Sequence, residues 1–412
     1  MTPLPLAGLR VADLSWIIAG PYGTELLARM GAEVIKIEGV GPLDHTRENP
    51  PFAGGVPGLN RSGFFNSINM GKKSLTLQLD DREQAAIARE IMLRSDLVIE
   101  AFSYGTMERF GLGYEALRRE RPDLIMVSVT GFGQEGRDRG LRAFMGTVHA
   151  YTGLNSLNGY VGGPPKTAGG TFADYATGLT IVFSALAALR HRQRTGLGQH
   201  IDLSMADVIL ALTGAPFIDY FLNGRDGAPQ GNAGGAAFPN NVYPCRGDDA
   251  WVAVSIETDA QWDALRRAVG DPALDATEYR DIIGRRRHVG TIDARLAAWS
   301  RERTAWEATE ALQVAGVPAG PSCSAGGLLA QPQLRARGFF CEPGHPETGP
   351  LAVPNLPWRL DAYPDPPPAP APCLGEHTEE IVGGWLGRPR HVVDRLNARR
   401  DEALRRLERA KA

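Results

Sequence analysis

Short apolar runs alternate with amphipathic stretches through the first third of the chain. "LRVADL" (9–14) and "AEVIKIE" (32–38) have the composition of strands, and "GPYGTELLARMG" (20–31) between them has apolar residues at helical spacing. The alternation then repeats in "SLTLQL" (74–79), "DREQAAIAREIMLRS" (81–95), "DLVIEAF" (96–102), "YEALRRERP" (114–122) and "LIMVSVTGF" (124–132). This pattern predicts an α/β fold with a mostly parallel sheet covered by helices on both faces.

The pattern changes after residue 222. A helix starting at Asp174, the strand "TGLGQHIDLSM" (195–205) and an apolar helix precede a stretch rich in Gly, Pro and Asn, which cannot sustain regular elements. A second strand and helix unit follows from residue 250. We therefore predict the N-terminal part of a large domain at 1–222, a glycine-rich loop or linker at 223–249, a smaller α+β domain at 250–325, and a C-terminal return to the large domain at 326–412.

The last ninety residues combine several patterns. "LRARGFFCE" (334–342) is strand-like, "PDPPPAPAP" (364–372) is typical of a stiff polyproline spacer, and "LGEHTEEIVGGWLG" (374–387) predicts a helix. The charged tail after residue 391 predicts a solvated surface helix, with partner binding as the alternative.

Composition narrows the class of protein. A net charge of -3 gives no overall reason for binding nucleic acid or an anionic membrane, so an anionic ligand must be met locally. The four cysteines lie far apart, which favours reduced thiols over a zinc site or disulfides, and we expect no metal. The apolar run "LTIVFSALAAL" (179–189) is shorter than the roughly 20 residues of a membrane span, and no basic leader precedes the N-terminal apolar stretch. We expect a soluble cytoplasmic protein.

The first strand-to-helix turn reads "SWIIAGPYGTE" and contains neither GxGxxG nor GxxxxGK[ST]. Pro21 also removes one backbone donor from the start of the helix. A dinucleotide-dependent oxidoreductase is therefore disfavoured.

Four cations lie near predicted strands. Lys72 and Lys73 precede one strand, and Arg109 and Arg142 lie in later loops. Loops of an open α/β sheet converge at one edge, where ligands bind, so the set indicates a ligand with several phosphates. The alternative is that each is a solvated charge.

The candidate catalytic side chains divide into two groups. His149 and His377 are each isolated and lack a serine or cysteine in a nucleophile elbow, so a structural role is favoured and a hydrolytic triad is not. Asp174 precedes an apolar helix, where Asp is a preferred N-cap worth about 1 kcal/mol. A helix N-terminus would also keep a nucleophilic carboxylate ionised and supply N–H groups near a developing oxyanion. The local sequence leaves both interpretations of Asp174 open.

The ordered set of motifs resembles the class III CoA-transferases (CaiB/BaiF type), which include formyl-CoA and carnitine CoA-transferases and the related 2-methylacyl-CoA racemases. The resemblance covers nearly the whole chain and implies a Rossmann-like large domain built from both terminal parts, a small domain and an interlaced dimer. Its motifs are "LAGLRVADLSWIIAGPYGTELLARMGAEVIKIE", "KKSLTLQL", "GGTFADYATG", "RTGLGQHIDLSMAD", "GVPAGPSCS" and "LGEHTEEIV".

The resemblance implies covalent catalysis by Asp174. The carboxylate attacks an acyl-CoA to give a mixed anhydride and CoA thiolate, the thiolate forms an aspartyl-CoA thioester, and the acceptor acid reverses the sequence. Coenzyme A is then a substrate and no cofactor is permanently bound. Gly234 and Gly235 correspond to a mobile glycine loop that keeps water from the anhydride.

The resemblance also assigns contacts to coenzyme A. The implied residues are Ile17, Ala19, Lys72 or Lys73, Phe102, Arg109, Arg142 and Met205. Two departures from the family, Ala101 in place of Asn and Gly39 in place of a basic residue, remove one or two expected hydrogen bonds to coenzyme A.

A second set of differences from the family indicates the class of acid that the protein uses as a substrate. Trp16, Ile18, Phe144 and Met145 stand where oxalate-using members carry polar or acidic groups. An apolar or aromatic acid is favoured over oxalate, since apolar burial gains about 25 cal/mol per Å2 and unpaired polar groups are costly.

Two alternatives keep the same fold. A racemase needs a histidine within "RAFMG" (142–146), which has none, and His149 lies outside that segment. A catalytically silent subunit of a heteromer would have no use for Asp174. The sequence leaves open the donor and acceptor acids, the choice between homodimer and heteromer, and which lysine meets the phosphates.

Overall fold

The computed structural model describes residues 3–232, 235, 237–363 and 369–411. The chain forms two compact units, each made of separate segments. The first unit consists of Met1–Leu154, Thr167–Ile218 and Ala336–Ala412, and the second of Asn155–Lys166 and Asp219–Arg335.

The first unit is organised by a six-stranded parallel sheet. Its strands are β1 (Arg10–Leu14), β2 (Glu33–Glu38), β3 (Lys73–Thr76), β4 (Leu97–Glu100), β5 (Ile125–Thr130) and β6 (Gln199–Ser204). Every neighbouring pair is parallel, in the order β3-β2-β1-β4-β5-β6. This is the order of doubly wound sheets, whose ligands bind outside the carboxyl ends of the strands where the order reverses, here between β1 and β4. The predicted α/β fold with a parallel sheet is confirmed.

Helices connect the strands of the first unit. In chain order they are α1 (Ala19–Arg29), α2 (Gly63–Asn66), α3 (Arg82–Leu93), α4 (Thr106–Arg109), α5 (Tyr114–Arg118), α6 (Met145–Tyr151), α7 (Leu154–Leu157), which runs into the second unit, α8 (Phe172–Thr195), α9 (Met205–Leu212) and α10 (Gly214–Asn223), which also crosses the boundary. Successive strand residues face opposite layers. Val11 belongs to the core beneath α1 and α8, whereas Ala12 belongs to the core beneath α3, and both are fully buried.

The second unit has its own sheet and core. Strands β7 (Asn240–Pro244), β8 (Trp251–Ser255) and β9 (Ala319–Pro321) form an antiparallel sheet. The helices are α11 (Asp259–Val269), α12 (Ile282–Arg287), α13 (Val289–Arg301), α14 (Ala305–Val314) and α15 (Ala325–Ala330). Val252, Trp262 and Leu312 are among its buried core residues. Strand β7 lies inside the segment predicted to be loop or linker, so that part of the prediction is wrong.

The C-terminal part returns to the first unit. Helix α16 (Pro332–Ala336) crosses the boundary from the second unit, and the returning part then contains the short strands β10 (Phe340–Cys341), β11 (Gly344–His345), β12 (Gly349–Pro350) and β13 (Val353–Pro354), a π-helical segment Glu379–Trp385, and α17 (Arg390–Lys411). The single strand expected at 334–342 is thus a helix followed by a two-residue strand. The residues 364–368 of the proline-rich spacer lie outside the described residues.

The charged tail forms α17 and is only partly solvated. Val393 and Leu396 are buried in the core that includes α3, and Arg395 pairs with Glu83 at 3.2 Å. One face of this helix therefore contributes to the first unit, which a prediction based on charge alone missed.

Helix α8 is longer than its most apolar stretch suggested. Its 24 residues make it long and apolar enough to cross a membrane by length and composition, a test that buried core helices of soluble proteins also pass. Half of its apolar window is buried. Ile181 and Ala185 lie in the core together with residues of α1, which accounts for their apolar character.

Candidate active site

The loop between β1 and α1 has an unusual backbone. Ile17 adopts φ 68°, in the left-handed region that β-branched residues rarely occupy. Its N–H donates to Asp44 Oδ1 at 3.2 Å. Such a conformation persists only where the surroundings hold it, so the loop is a fixed part of the fold.

A buried charge network lies beneath this loop. Asp13 accepts hydrogen bonds from Thr24 Oγ1 at 2.6 Å and Lys72 Nζ at 3.0 Å, and Lys36 Nζ donates to Asp44 Oδ2 at 2.9 Å. Burial acts against charge on Asp13, but Lys72 and Lys36 outweigh it and lower the pKa of Asp13. Each charge in the network has an opposite partner, as buried ions require.

Lys72 is committed to this network. Its Nζ donates to Asp13, to Pro21 O at 2.8 Å and to Asn69 Oδ1 at 2.8 Å, which uses all three of its N–H groups. Burial lowers the pKa of Lys72 to about 8. The expected position in an open, ligand-facing loop is wrong for Lys72, because its charge neutralises Asp13 instead.

Lys73 occupies the opposite edge of the sheet. It begins β3, and its Nζ lies 2.6 Å from Glu33, which begins β2. Because the strands are parallel, their first residues lie at the edge away from the carboxyl ends. The expectation that Lys73 converges with the arginines at one edge is therefore wrong.

Asp174 is brought to the first loop by a close helix crossing. Helices α1 and α8 pack so tightly at Gly23 and Gly178 that a Cβ on Gly178 would lie 2.9 Å from Ala19 O, and one on Gly23 2.9 Å from Gly178 O. Asp174 lies one turn before Gly178, on the side of the loop that ends at Ala19. Only glycine allows this approach of two backbones.

The carboxylate of Asp174 is buried without a side-chain partner among the described residues. It is 7% exposed and is the third residue of α8, after the N-cap residue Thr171. The predicted N-cap role is thus wrong, since the helix begins two residues earlier. Burial raises the pKa of Asp174 to about 6, partly opposed by the backbone N–H of Asp174 itself. A first-turn carboxylate also benefits from the helix dipole, and Asp174 is largely ionised at neutral pH.

A cavity of about 260 Å3 opens at the carboxyl ends of β1 to β4, where the strand order reverses. Trp16 and Phe102 stand on either side of that point, with ring centroids 5.6 Å apart and planes at 70°. The remaining lining residues are Ile37, Gly39, Gly41, Pro42, Leu77, Gln78, Leu79, Asp80, Thr106 and Phe110. The walls are mainly apolar, and the described residues supply no hydrogen-bond partner for the buried Trp16 Nε1.

Of the predicted phosphate-binding arginines, Arg109 contacts a residue of this cavity. Arg109 is exposed, ends α4 and places its guanidinium 5.3 Å from the ring centre of Phe110, a cavity residue. Arg142 is exposed too, and neither forms an ion pair with a described residue. Arg139, which the sequence analysis overlooked, lies 4.5 Å from the ring centre of Tyr104 in the loop after β4.

The other predicted contacts are scattered through the first unit. Ile18 is 4% exposed and precedes α1, whereas Phe144 is 63% exposed and precedes α6. Met145 packs partly buried on the core. Ala19 and Met205 are buried first residues of α1 and α9. Of the predicted apolar substrate residues, the structure brings Trp16 alone to the cavity.

The glycine loop belongs to the second unit. Gly235 has φ 97° and its carbonyl accepts from Arg286 at 2.6 Å. Gly234 lies outside the described residues. The left-handed φ of Gly235 agrees with a turn that only glycine makes easily.

The two histidines are placed differently. His149 is fully buried in α6, neither ring nitrogen has a hydrogen-bond partner among the described residues, and burial lowers its pKa. His377 Nδ1 accepts from Ser74 N–H at 3.2 Å. The described residues also contain no group of three or more His, Cys, Asp or Glu side chains that could hold a metal ion.

The residues that fix the first loop, Asp13, Lys36 and Asp44, are not among the predicted site residues. The strand pattern places Asp13 and Lys36 in β1 and β2 without assigning either a role. The available signal was charge inside buried strands, "VADL" and "VIKIE", because a charge in a strand covered on both faces requires a partner.

Comparisons with known proteins agree with this arrangement. The family model for CoA-transferase family III matches residues 6–378. The chain is 34% identical to succinyl-CoA:mesaconate CoA-transferase of Haloarcula marismortui, over 92% of this chain and 95% of that one. It is 33% identical to succinyl-CoA--D-citramalate CoA-transferase of Chloroflexus aurantiacus, over 97% and 98%.

A solved structure matches as well. A CaiB/BaiF family protein from Brucella suis superposes with a TM-score of 0.84 at 29% identity, covering 93% of this chain and 99% of that chain. Sequence and fold thus lead to one assignment over nearly the whole length. The chain belongs to the class III CoA-transferases, enzymes that use CoA thioesters as substrates.

Proposed function

We propose that the protein transfers coenzyme A from an acyl-CoA donor to a carboxylic acid through Asp174. The carboxylate attacks the thioester carbonyl, the C–S bond breaks, and a mixed anhydride and CoA thiolate form. The thiolate attacks the aspartyl carbonyl, which releases the donor acid and leaves an aspartyl-CoA thioester. The acceptor carboxylate then displaces the thiolate to give a second anhydride. The thiolate attacks the acceptor acyl carbon, producing the new acyl-CoA and restoring Asp174.

One observation carries this proposal: Asp174 is buried, has no side-chain partner among the described residues and has a pKa of about 6. A paired carboxylate is a poor nucleophile because its partner must be lost before attack. A desolvated one is more reactive and is still ionised at neutral pH.

The cavity beside Trp16 and Phe102 supports a site for the nucleotide end of coenzyme A. Flat apolar walls suit a purine ring, and the unpaired guanidinium groups of Arg109 and Arg142 suit phosphate. Lys72 is excluded from this role by its three partners.

Two classes of acceptor acid are candidates. Trp16 and Ile18 in the first loop favour an apolar or aromatic acid over oxalate, since both side chains are mainly apolar and neither carries a positive charge. The names of the relatives, which act on mesaconate and citramalate, favour a dicarboxylate as the second candidate.

Racemisation is the competing reaction for the same fold. It needs a second acid or base opposite Asp174, and the segment 142–146 contains no histidine. His149 is buried with a lowered pKa, which favours its neutral form. A silent subunit would not need a reactive carboxylate at position 174.

We also propose a cytoplasmic homodimer. Large apolar side chains are exposed on α8 and α10 of the single chain, including Phe183 at 75% and Phe221 at 84%. Exposed apolar groups of this size are typical of surfaces that another chain covers.

The decisive experiment is a screen of acyl-CoA donors against aromatic, aliphatic and dicarboxylic acids, read by mass spectrometry of the CoA products. In parallel, hydroxylamine is added during turnover to convert an activated aspartate into a hydroxamate. We expect the modification on the peptide holding Asp174 and none in Asp174→Asn. Transfer with modification of another peptide would refute the mechanism, and deuterium uptake at the α-carbon without transfer would establish the racemase.

A further inference from the structure

Among the described residues other than glycine, Ile17 and Asp249 have positive φ. Aspartate enters the left-handed region at little cost, whereas a β-branched side chain there collides with its own backbone. The conformation of Ile17 must therefore be stabilised by interactions with other residues, and the structure contains such interactions.

The hold comes from a buried ion pair. Asp44 Oδ1 accepts the Ile17 N–H at 3.2 Å, and Asp44 Oδ2 accepts from Lys36 Nζ at 2.9 Å. The same Nζ donates to Ser15 O at 2.8 Å. The pair thus forms hydrogen bonds with the backbone on both sides of Trp16, at Ser15 and at Ile17. Both charged side chains are fully buried.

We infer that Asp44 is a positioning residue of the proposed site: with Lys36 it holds Ile17 in the left-handed conformation that directs Trp16 to the cavity and begins α1 at Ala19. Asp44 touches no reacting atom in this scheme. Its catalytic meaning rests on the proposed function, because Trp16 borders the proposed nucleotide site and Ala19 meets α8 one turn from Asp174.

The geometry supplies a specific rescue. Glycine takes a φ of 68° without strain, so Ile17→Gly removes the need for a hold. We expect Asp44→Ala to raise KM for acyl-CoA at least about tenfold with a smaller change in kcat, one tenfold step being 1.4 kcal/mol. In the double variant Asp44→Ala with Ile17→Gly, KM is expected to return to within about threefold of its value in Ile17→Gly alone. A threefold change corresponds to less than about 1 kcal/mol.

Matched variants distinguish the effect of Asp44 on the conformation of Ile17 from its effect on the stability of the whole protein. Asp44→Asn also removes the charge opposite Lys36, but it keeps an oxygen acceptor for the Ile17 N–H, so KM is expected to rise less than in Asp44→Ala. Asp249→Gly relaxes the other left-handed residue and is expected to leave KM unchanged. If Asp44→Ala fails to fold because Lys36 is left unpaired, the pair Lys36→Met with Asp44→Leu removes both charges and is tested with and without Ile17→Gly.

Hydrogen exchange of the Ile17 amide provides a readout that does not depend on turnover. We expect slow exchange in the wild type and in Asp44→Asn, and exchange at least about tenfold faster in Asp44→Ala or the double apolar variant. Equal exchange in all four, or failure of Ile17→Gly to restore KM, overturns the inference. If no acid accepts coenzyme A, the proposed function fails, while amide exchange and the affinity for free coenzyme A still decide whether Asp44 holds the loop.

Discussion

Two buried aspartates, one in β1 and one in α8, differ in their hydrogen-bond partners and in the direction in which their pKa is shifted. Asp13 is the fourth residue of β1 and is fully buried among Lys72, Thr24 and the backbone of Ser15, and its pKa is lowered. Asp174 is the third residue of α8, is 7% exposed and has no side-chain partner among the described residues, and its pKa is raised to about 6.

The difference separates a carboxylate that stabilises the fold from one that is available to react. Partners that lower a pKa also hold the oxygens in place and make them poor nucleophiles. Burial without partners has the opposite effect, and it costs folding free energy. A fold keeps such a group where its reactivity is used.

The largest effect is expected when Asp174 is replaced by Asn. The amide preserves the shape and the first-turn position but cannot form an anhydride, so kcat falls by about 10^3-fold or more. The affinity for coenzyme A, measured by calorimetry, stays within a factor of about two because the cavity is untouched. Transfer at a rate close to that of the wild type would return Asp174 to a structural role.

The same substitution at both aspartates is expected to change stability in opposite directions. Asp13→Asn leaves Lys72 without its charge partner and lowers the free energy of unfolding by about 3–5 kcal/mol. Asp174→Asn removes a carboxylate ionised against its surroundings and raises it by up to about 2 kcal/mol at pH 7. Urea unfolding followed by circular dichroism measures both, and two losses of equal size would contradict the comparison.

The pH dependence of activity reports the raised pKa of Asp174. A carboxylate protonated below its pKa cannot attack, so kcat/KM is expected to fall about tenfold for each pH unit below about 6. The contribution of Asp174 to the free energy of unfolding changes with pH in the opposite direction to the activity. The folded pKa lies above 3.8, so the protonated group favours folding at low pH and that contribution is lost as pH rises through 6. An acid limb near pH 4 would show that the nucleophile is well solvated.

The smallest expected effect compares two exposed or half-exposed cations. Arg109→Gln is expected to weaken coenzyme A binding about fivefold, the loss of about 1 kcal/mol for one phosphate contact. Lys73→Gln, whose amine faces Glu33 at the other sheet edge, is expected to change it less than about twofold. Isothermal titration at two salt concentrations distinguishes them. A larger effect for Lys73 would show that the phosphates bind at the amino ends of the strands and not at the carboxyl ends, as proposed.

Periodicity in the sequence was sufficient for the parallel sheet, and the motif around Asp174 was sufficient for the candidate nucleophile. The exact position of Asp174 in the helix was not predictable, because residues 168–171 are small and do not mark where α8 begins. The fate of Lys72 depends on Asp13, a residue 59 positions away. Cations look alike in a sequence until the register of the strands decides which edge they occupy, as Lys73 and Arg109 illustrate.

The crossing at Gly23 and Gly178 has a consequence for how this enzyme class can diversify. Since backbone rather than side-chain volume sets the spacing between Ala19 and the first turn of α8, the place of the nucleophile is independent of the residues that surround it. The loops that carry Trp16, Ile18 and Phe144 are then free to vary without moving the carboxylate of Asp174. Two proteins that are each about a third identical to this chain are named for different acids, mesaconate and citramalate, as expected if the loops vary while this crossing is kept.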